Sequence, residues 1–231
     1  MKIAITRLKE KAKKDAELCK KYGHACYAVS PMEASVYEDA VTSFAARTNE
    51  GEFDCIFFTS ALPAVQVAPL LKKWPRVIAI GPQTAKTLES FEILCETLPA
   101  FYSRDFVPYL GDWIAGKKIG IPRADVPNPA LISAIEEKGG IVCEVPIYSL
   151  VPTKEELLLD DADAIIFTSA NSFSYAVWDK KTDIIPVAIG DITGERMREG
   201  GVSPAVTGDG SLEGTLIALN DYIGKISGET D

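Results

Sequence analysis

Short apolar runs, three to seven residues long and rich in β-branched side chains, punctuate the chain. They lie at Lys2–Thr6, Ala25–Val29, Cys55–Phe58, Val77–Ile80, Ile93–Glu96, Lys118–Ile121, Ile141–Ile147, Ala164–Phe167, Val187–Ile189 and Pro204–Thr207. Runs of this length bounded by glycine, proline and polar residues predict buried strands. Most are separated by 10–15 residues with apolar positions at helical spacing, as in Lys11–Tyr22, Pro82–Ser90, Pro129–Lys138 and Leu212–Ile223. The alternation predicts βα units, parallel sheets and helices on both faces. Ten strands are too many for one sheet in 231 residues, but they suit two five-stranded domains.

The chain also repeats itself. Asp54, Phe58, Thr59, Ser60 and Ala61 recur 109 residues later as Asp163, Phe167, Thr168, Ser169 and Ala170, and Gly81 and Thr84 recur as Gly190 and Thr193. A second set is offset by 116: Lys2, Ile3, Ile5, Arg7 and Gly23 become Lys118, Ile119, Ile121, Arg123 and Gly139. The order is A, B, A′, B′, and two related α/β domains explain it. The repeat alone leaves open whether A shares a domain with B or with B′. Candidate boundaries are the proline-containing stretches 30–37 and 146–153.

Composition narrows the function classes. The balance of 24 Lys and Arg against 33 Asp and Glu gives a net charge of −9, which disfavours a nucleic-acid partner. The one basic run, Lys9 to Lys14, is read as a solvated helix face. Five cysteines (Cys19, Cys26, Cys55, Cys95, Cys143), an odd number without metal-ligand spacing, predict reduced core thiols in a cytosolic protein. The N-terminal apolar run is too short for a secretory signal, and no segment approaches a membrane span. His24, the only histidine, falls where a helix stops at Gly23 and is expected on a surface turn. Mechanisms built on Ser-His-Asp, Cys-His or His-bound zinc therefore have little to stand on.

Three motifs invite a phosphate or ligand reading. Gly111–Lys118 approaches a P-loop, but it precedes its strand and Lys118 replaces the Ser or Thr, so a turn is the better reading. Residues 207–211 (Thr-Gly-Asp-Gly-Ser) follow a strand and enter a helix, which suits either a backbone anion site or a tight turn with Ser211 as N-cap. The twin Phe-Thr-Ser motifs place Thr59, Ser60, Thr168 and Ser169 at the C-terminal ends of buried strands, where ligands bind in open parallel sheets. Helix capping is the alternative there. Gly81-Pro82-Gln83-Thr84 and Gly190-Asp191-Ile192-Thr193 repeat the arrangement one strand later.

The ordered set resembles the uroporphyrinogen-III synthase family: Thr-Arg after the first strand, Phe-Thr-Ser, Ile-Gly-x-x-Thr-Ala, a Val-x-x-Tyr closing the second unit, and a second Ile-Gly-x-x-Thr. The resemblance spans essentially the whole chain. It implies two flavodoxin-like domains, each a parallel five-stranded sheet with helices on both faces, joined by a two-stranded connector. Residues 1–31 with 149–231 would form the first and 32–148 the second, with the active site in the cleft between them. The implied reaction is a cofactor-free, metal-free cyclisation of linear hydroxymethylbilane to uroporphyrinogen III, with loss of water and inversion of ring D. The enzyme would be a cytoplasmic monomer. Tyr148 would assist departure of the hydroxyl. Thr84, Thr193, Ser60, Ser169 and Asn171 would line the substrate site, and Arg7 and Arg123 could meet substrate carboxylates or form structural ion pairs.

The residues fit that chemistry. Pyrrole nitrogen electrons can expel the terminal hydroxyl, so a strong protein acid is unnecessary. The hard task is bending a flexible tetrapyrrole, a problem of proximity and orientation. Two departures stand out: Gly190-Asp191-Ile192-Thr193-Gly194 replaces the usual Gly-Pro-x-Thr-Ala, and the net charge of −9 requires a locally positive or N–H-rich site for eight carboxylates. A hinged binding module without catalysis is the alternative from another class. A flavin-binding flavodoxin would need a hydroxyl-rich phosphate loop where Thr-Arg-Leu-Lys-Glu-Lys stands.

Overall fold

Cys55–Phe58 and Ala164–Phe167 are buried at every position, which only a strand covered on both faces allows. In the computed structural model, which describes residues 1–7, 12–159, 161–180 and 183–228, both are central strands of parallel sheets. The chain opens with β1 (Lys2–Thr6), α1 (Ala12–Lys21) and β2 (Ala25–Val29), then β3 (Met32–Val36). It continues through α2 (Glu38–Asn49), β4 (Cys55–Phe58), α3 (Ala61–Val67), β5 (Arg76–Ala79), α4 (Pro82–Glu89) and β6 (Glu96–Thr97). Next come α5 (Phe106–Leu110), β7 (Lys118–Ala124), α6 (Pro129–Glu137) and β8 (Ile141–Pro152). The last third holds β9 (Ala164–Phe167), α7 (Ala170–Tyr175), β10 (Ile185–Ala188), α8 (Asp191–Glu199), β11 (Val206–Thr207) and α9 (Leu212–Gly228).

The chain divides into two units, Met1–Glu33 with Val151–Asp231, and Ala34–Leu150. In the first, five strands run parallel in the order β11-β10-β9-β1-β2. Successive residues of β1 and β9 alternate between two cores. Ile3, Ile5, Ala164 and Ile166 pack with Leu212, Leu216 and Leu219 of α9, while Ala4, Ile165 and Phe167 pack with Phe173 of α7 and Met197 of α8.

The second sheet has the order β3-β8-β7-β4-β5-β6. Ile56 and Phe58 meet Phe44, Val67 and Leu88 on one face; Cys55 and Phe57 meet Phe106, Leu110 and Ile135 on the other. Each sheet thus combines repeats that are not adjacent in sequence, A with B′ and B with A′. This arrangement puts β1 and β7 in matching places, and likewise β4 and β9.

Three elements differ from expectation. The second sheet has six strands, because β3 runs antiparallel to β8: Tyr37 N donates to Ile147 O and Thr153 N to Pro31 O. That partner lets β8 continue past Ile147 to Pro152 as one 12-residue strand. Ile93, expected to open a strand, instead closes α4. Its N–H bonds Leu88 O after Glu92 adopts φ 61°, and only Glu96 and Thr97 remain extended. Gly23 and Gly139, paired by the repeat, both sit at positive φ (83° and 77°) and end α1 and α6 as left-handed caps. Lys9 and Lys11 of the basic run lie outside the described residues.

Candidate functional site

At the C-terminal edge of the first sheet, hydroxyls tie β1 to the β9–α7 turn. The Thr6 hydroxyl, fully buried, lies 3.1 Å from Ile166 O and 3.0 Å from Ser172 Oγ, and it accepts a 3.0 Å bond from Thr168 N. Thr168 Oγ1 donates to Thr6 O. Ser169 and Ser172 form a reciprocal capping box at the start of α7, each hydroxyl accepting the other's N–H at 3.0 Å. Ser172 then donates to Ser169 O at 2.7 Å. The Ser169 proton has no acceptor among the described residues.

Beside this network, Thr6, Arg7, Pro31, Met32, Thr168, Ser169 and Ser172 line a pocket of about 210 Å³. Arg7 Nε donates to Asp15 Oδ2 at 2.9 Å, and both side chains are largely buried. The ion pair fixes a guanidinium at the pocket wall without neutralising all its donors. The pocket therefore offers the spare donors of an ion-paired guanidinium, one uncommitted hydroxyl and two apolar walls, an arrangement suited to a polar group on a short alkyl arm. Asn171 is exposed on α7, and Thr193 is buried in the first turn of α8. Neither lines this pocket.

The second sheet repeats the edge with different use of its hydroxyls. Ser60 is the N-cap of α3 but makes no capping bond, and Thr84 is buried in the first turn of α4 after Pro82. Tyr148 is buried in the apolar cluster with Ile147, Phe58 and Ala79, and its carbonyl accepts from Asp125 N at 2.7 Å. Arg123, 8% exposed, pairs through Nε with Glu144 and donates to the carbonyls of Ala124 and Val126. These bonds fold the turn after β7, where the β7–β8 register shifts. Of the two options for the arginines, Arg123 is engaged by Glu144 of β8 and the carbonyls of its own turn, whereas Arg7 remains at a pocket.

The family model described as "Uroporphyrinogen-III synthase HemD" matches residues 13–218. The chain belongs to the uroporphyrinogen-III synthase family. A Bacillus subtilis protein described as "Uncharacterized protein YjjA" is 22% identical over 82% of this chain and 84% of its own. Among solved structures, uroporphyrinogen-III synthetase from Helicobacter pylori matches with a TM-score of 0.56 at 16% identity, covering 96% of this chain and 99% of that one. A mutant uroporphyrinogen III synthase from Thermus thermophilus gives 0.50 at 18% identity, covering 97% and 99%. These likenesses support the α/β fold with parallel sheets flanked by helices.

The uroporphyrinogen-III synthase match includes Tyr148, Thr84, Thr193, Ser60, Ser169, Asn171 and Arg123; Arg7 precedes it. Ser172, Pro31 and Met32, which share the pocket with Arg7, had no motif to mark them, whereas Thr6 belongs to the Thr-Arg pair after the first strand. Asp15, just after the basic run, carried no signal either. Residues 207–211 form a tight turn: Asp209 Oδ1 accepts from Ser211 N and Oγ, and Ser211 caps α9 through Gly214 N. These bonds hold the Asp209 carboxyl below its usual range, so the turn carries its own anion.

His24 corrects the expected surface position. It is buried, with Nε2 2.9 Å from Asn220 Oδ1, and burial lowers its pKa. Cys19 and Cys55 are buried core thiols, while Cys26, Cys95 and Cys143 are half-buried. Among the described residues no cluster of three His, Cys, Asp or Glu side chains could hold a metal, and no helix is long and apolar enough to cross a membrane.

Proposed function

We propose that this chain is a uroporphyrinogen-III synthase that closes hydroxymethylbilane to uroporphyrinogen III, inverting ring D and releasing one water. The observation carrying this reading is the family match over residues 13–218. The paired strand edges, rich in hydroxyls and free of histidine, agree with it.

The substrate supplies the driving force. A pyrrole nitrogen lone pair pushes out the terminal hydroxyl, the substituted carbon of ring D attacks the resulting electrophile, and the spiro intermediate reopens and recloses with ring D inverted. The protein then has two tasks: to ease hydroxide departure and to hold a bent chain. Tyr148 takes the first. Its ring is clamped in an apolar cluster and its backbone is tied to Asp125, so its phenol can donate a hydrogen bond from a fixed place.

Thr84, Thr193, Ser60, Ser169 and Asn171 take the second as neutral donors, with Arg7 meeting a substrate carboxylate. Arg123 contributes by holding the turn after β7. We read both units as flavodoxin-like domains, since β2-β1-β9-β10-β11 is the doubly wound order and β8-β7-β4-β5-β6 places repeat-related strands alike. The enzyme acts as a cytoplasmic monomer without cofactor. Formation of the type III isomer by protein dialysed against EDTA, with nothing added back, tests this; type III product restored only by a metal or organic cofactor would refute it.

A further inference from the structure

Phe101 and Tyr102, in the segment after β6, are the two most exposed aromatic residues among those described, at 53% and 57%. Phe101 also adopts φ 62°, a left-handed conformation that is strained for a bulky side chain. Unlike Glu92, it ends no helix. A Cβ built on Gly81, the N-cap of α4, would lie 3.5 Å from the Phe101 ring, so the aromatic rests on the backbone at the C-terminal end of β5. Neighbouring bonds hold the segment: Asn128 Nδ2 donates to Ser103 Oγ at 3.2 Å, and Asp105 N donates to Tyr102 O at 3.0 Å. The Arg104 guanidinium stacks 4.4 Å from the Tyr102 ring centroid and forms no ion pair with the described residues. Two fixed, solvent-facing aromatic rings and an uncommitted cation therefore occupy the same sheet edge as Ser60.

We infer that Phe101, Tyr102 and Arg104 form a platform on which one carboxylate-bearing pyrrole ring of the substrate stacks. This rests on the function proposed above. Each ring of that substrate carries a π face and carboxylate arms, so an aromatic surface with an adjacent guanidinium is its chemical complement. The backbone strain at Phe101 fits a binding role, since folding alone gains nothing from presenting this ring to water.

Three substitutions test the platform. Phe101→Gly removes the ring and supplies the residue best suited to φ 62°, so Tm should hold or rise while KM for hydroxymethylbilane rises roughly 5- to 20-fold, the scale of one aromatic stack. Tyr102→Leu keeps apolar bulk and should raise KM similarly. Arg104→Gln should raise KM less and flatten its salt dependence. In all three, kcat should change less than about threefold.

As a probe independent of turnover, pyrrole-2-carboxylate should shift the Phe101 and Tyr102 ring protons in NMR spectra of the wild-type chain. Arg104→Gln should weaken those shifts. KM within twofold of wild type in both aromatic variants, or ring protons unmoved by the probe, would overturn the platform. If the wild type yields only the spontaneous type I product while the probe still shifts those protons, the platform stands and the proposed reaction falls.

Discussion

Replacing Thr6 by Val isolates a hydroxyl that the structure uses three ways. The two side chains have nearly the same shape and strand preference, so packing in β1 is preserved. What disappears is the acceptor for Thr168 N and the donor shared by Ile166 O and Ser172 Oγ. Ser172 Oγ keeps its bonds to Ser169 N and Ser169 O, so its loss is partial. Thr168 N is left without its partner at a half-buried site. A buried polar group stranded in this way costs about 1–3 kcal/mol, and with the weakened Ser172 bond the total should come to about 2–3 kcal/mol.

Thr6→Ser keeps the hydroxyl and removes only a methyl, for which about 1 kcal/mol is expected. Urea denaturation supplies the totals. Native-state hydrogen exchange supplies the local test, because the Thr168 amide should lose protection in Thr6→Val and keep it in Thr6→Ser. Equal losses in both variants, or unchanged Thr168 protection in Thr6→Val, would refute the network as drawn.

Tyr148→Phe should lower kcat roughly 10- to 100-fold at unchanged Tm, with the type III preference retained; an unchanged kcat would return Tyr148 to a packing role. Burial lowers the His24 pKa, so the unfolded chain binds the extra proton first as pH falls, and stability should decline below about pH 6.5. His24→Gln should flatten that decline between pH 5 and 6.5, where no other described side chain is a histidine; an unaltered urea midpoint profile would contradict it. Gly214→Ala would place a Cβ 2.3 Å from the Asp209 carboxyl, so Tm should fall by about 2–4 °C where glycine-to-alanine changes in helices ordinarily raise it. Adding Asp209→Ser should recover the loss.

Much of this fold is legible because burial on both faces leaves a mark in the sequence. Cys55–Phe58 and Ala164–Phe167 read as central strands, since four consecutive apolar residues between turns have few other uses. The repeat offsets showed two related halves but left open which segments share a sheet; the sheets join A with B′ and B with A′. β3 was hidden for the opposite reason: Met-Glu-Ala-Ser-Val is half-exposed, follows proline and has one partner strand, β8. His24 was misplaced because its cover, Asn220, lies 196 residues away on α9.

The candidate site divides in the same way. Thr168 and Ser169 announced themselves through duplication, but no local pattern separates a capping hydroxyl from a binding one. Ser169 spends its oxygen on Ser172 N, whereas Ser60, its repeat partner, makes no capping bond. Pro31 and Met32 reach the pocket because they follow β2, whose parallel pairing with β1 sets Val29 beside Thr6 and Arg7, a tertiary effect without a sequence signature.

The central claim is that this chain directs ring closure, and the isomer distribution tests it most directly. Hydroxymethylbilane, incubated with increasing amounts of the folded protein and then oxidised, can be resolved into type I and type III uroporphyrins. The account predicts a type III fraction that rises with protein concentration toward completeness, at a rate above spontaneous closure. Type I product at the uncatalysed rate, from protein whose melting curve shows it folded, would contradict it.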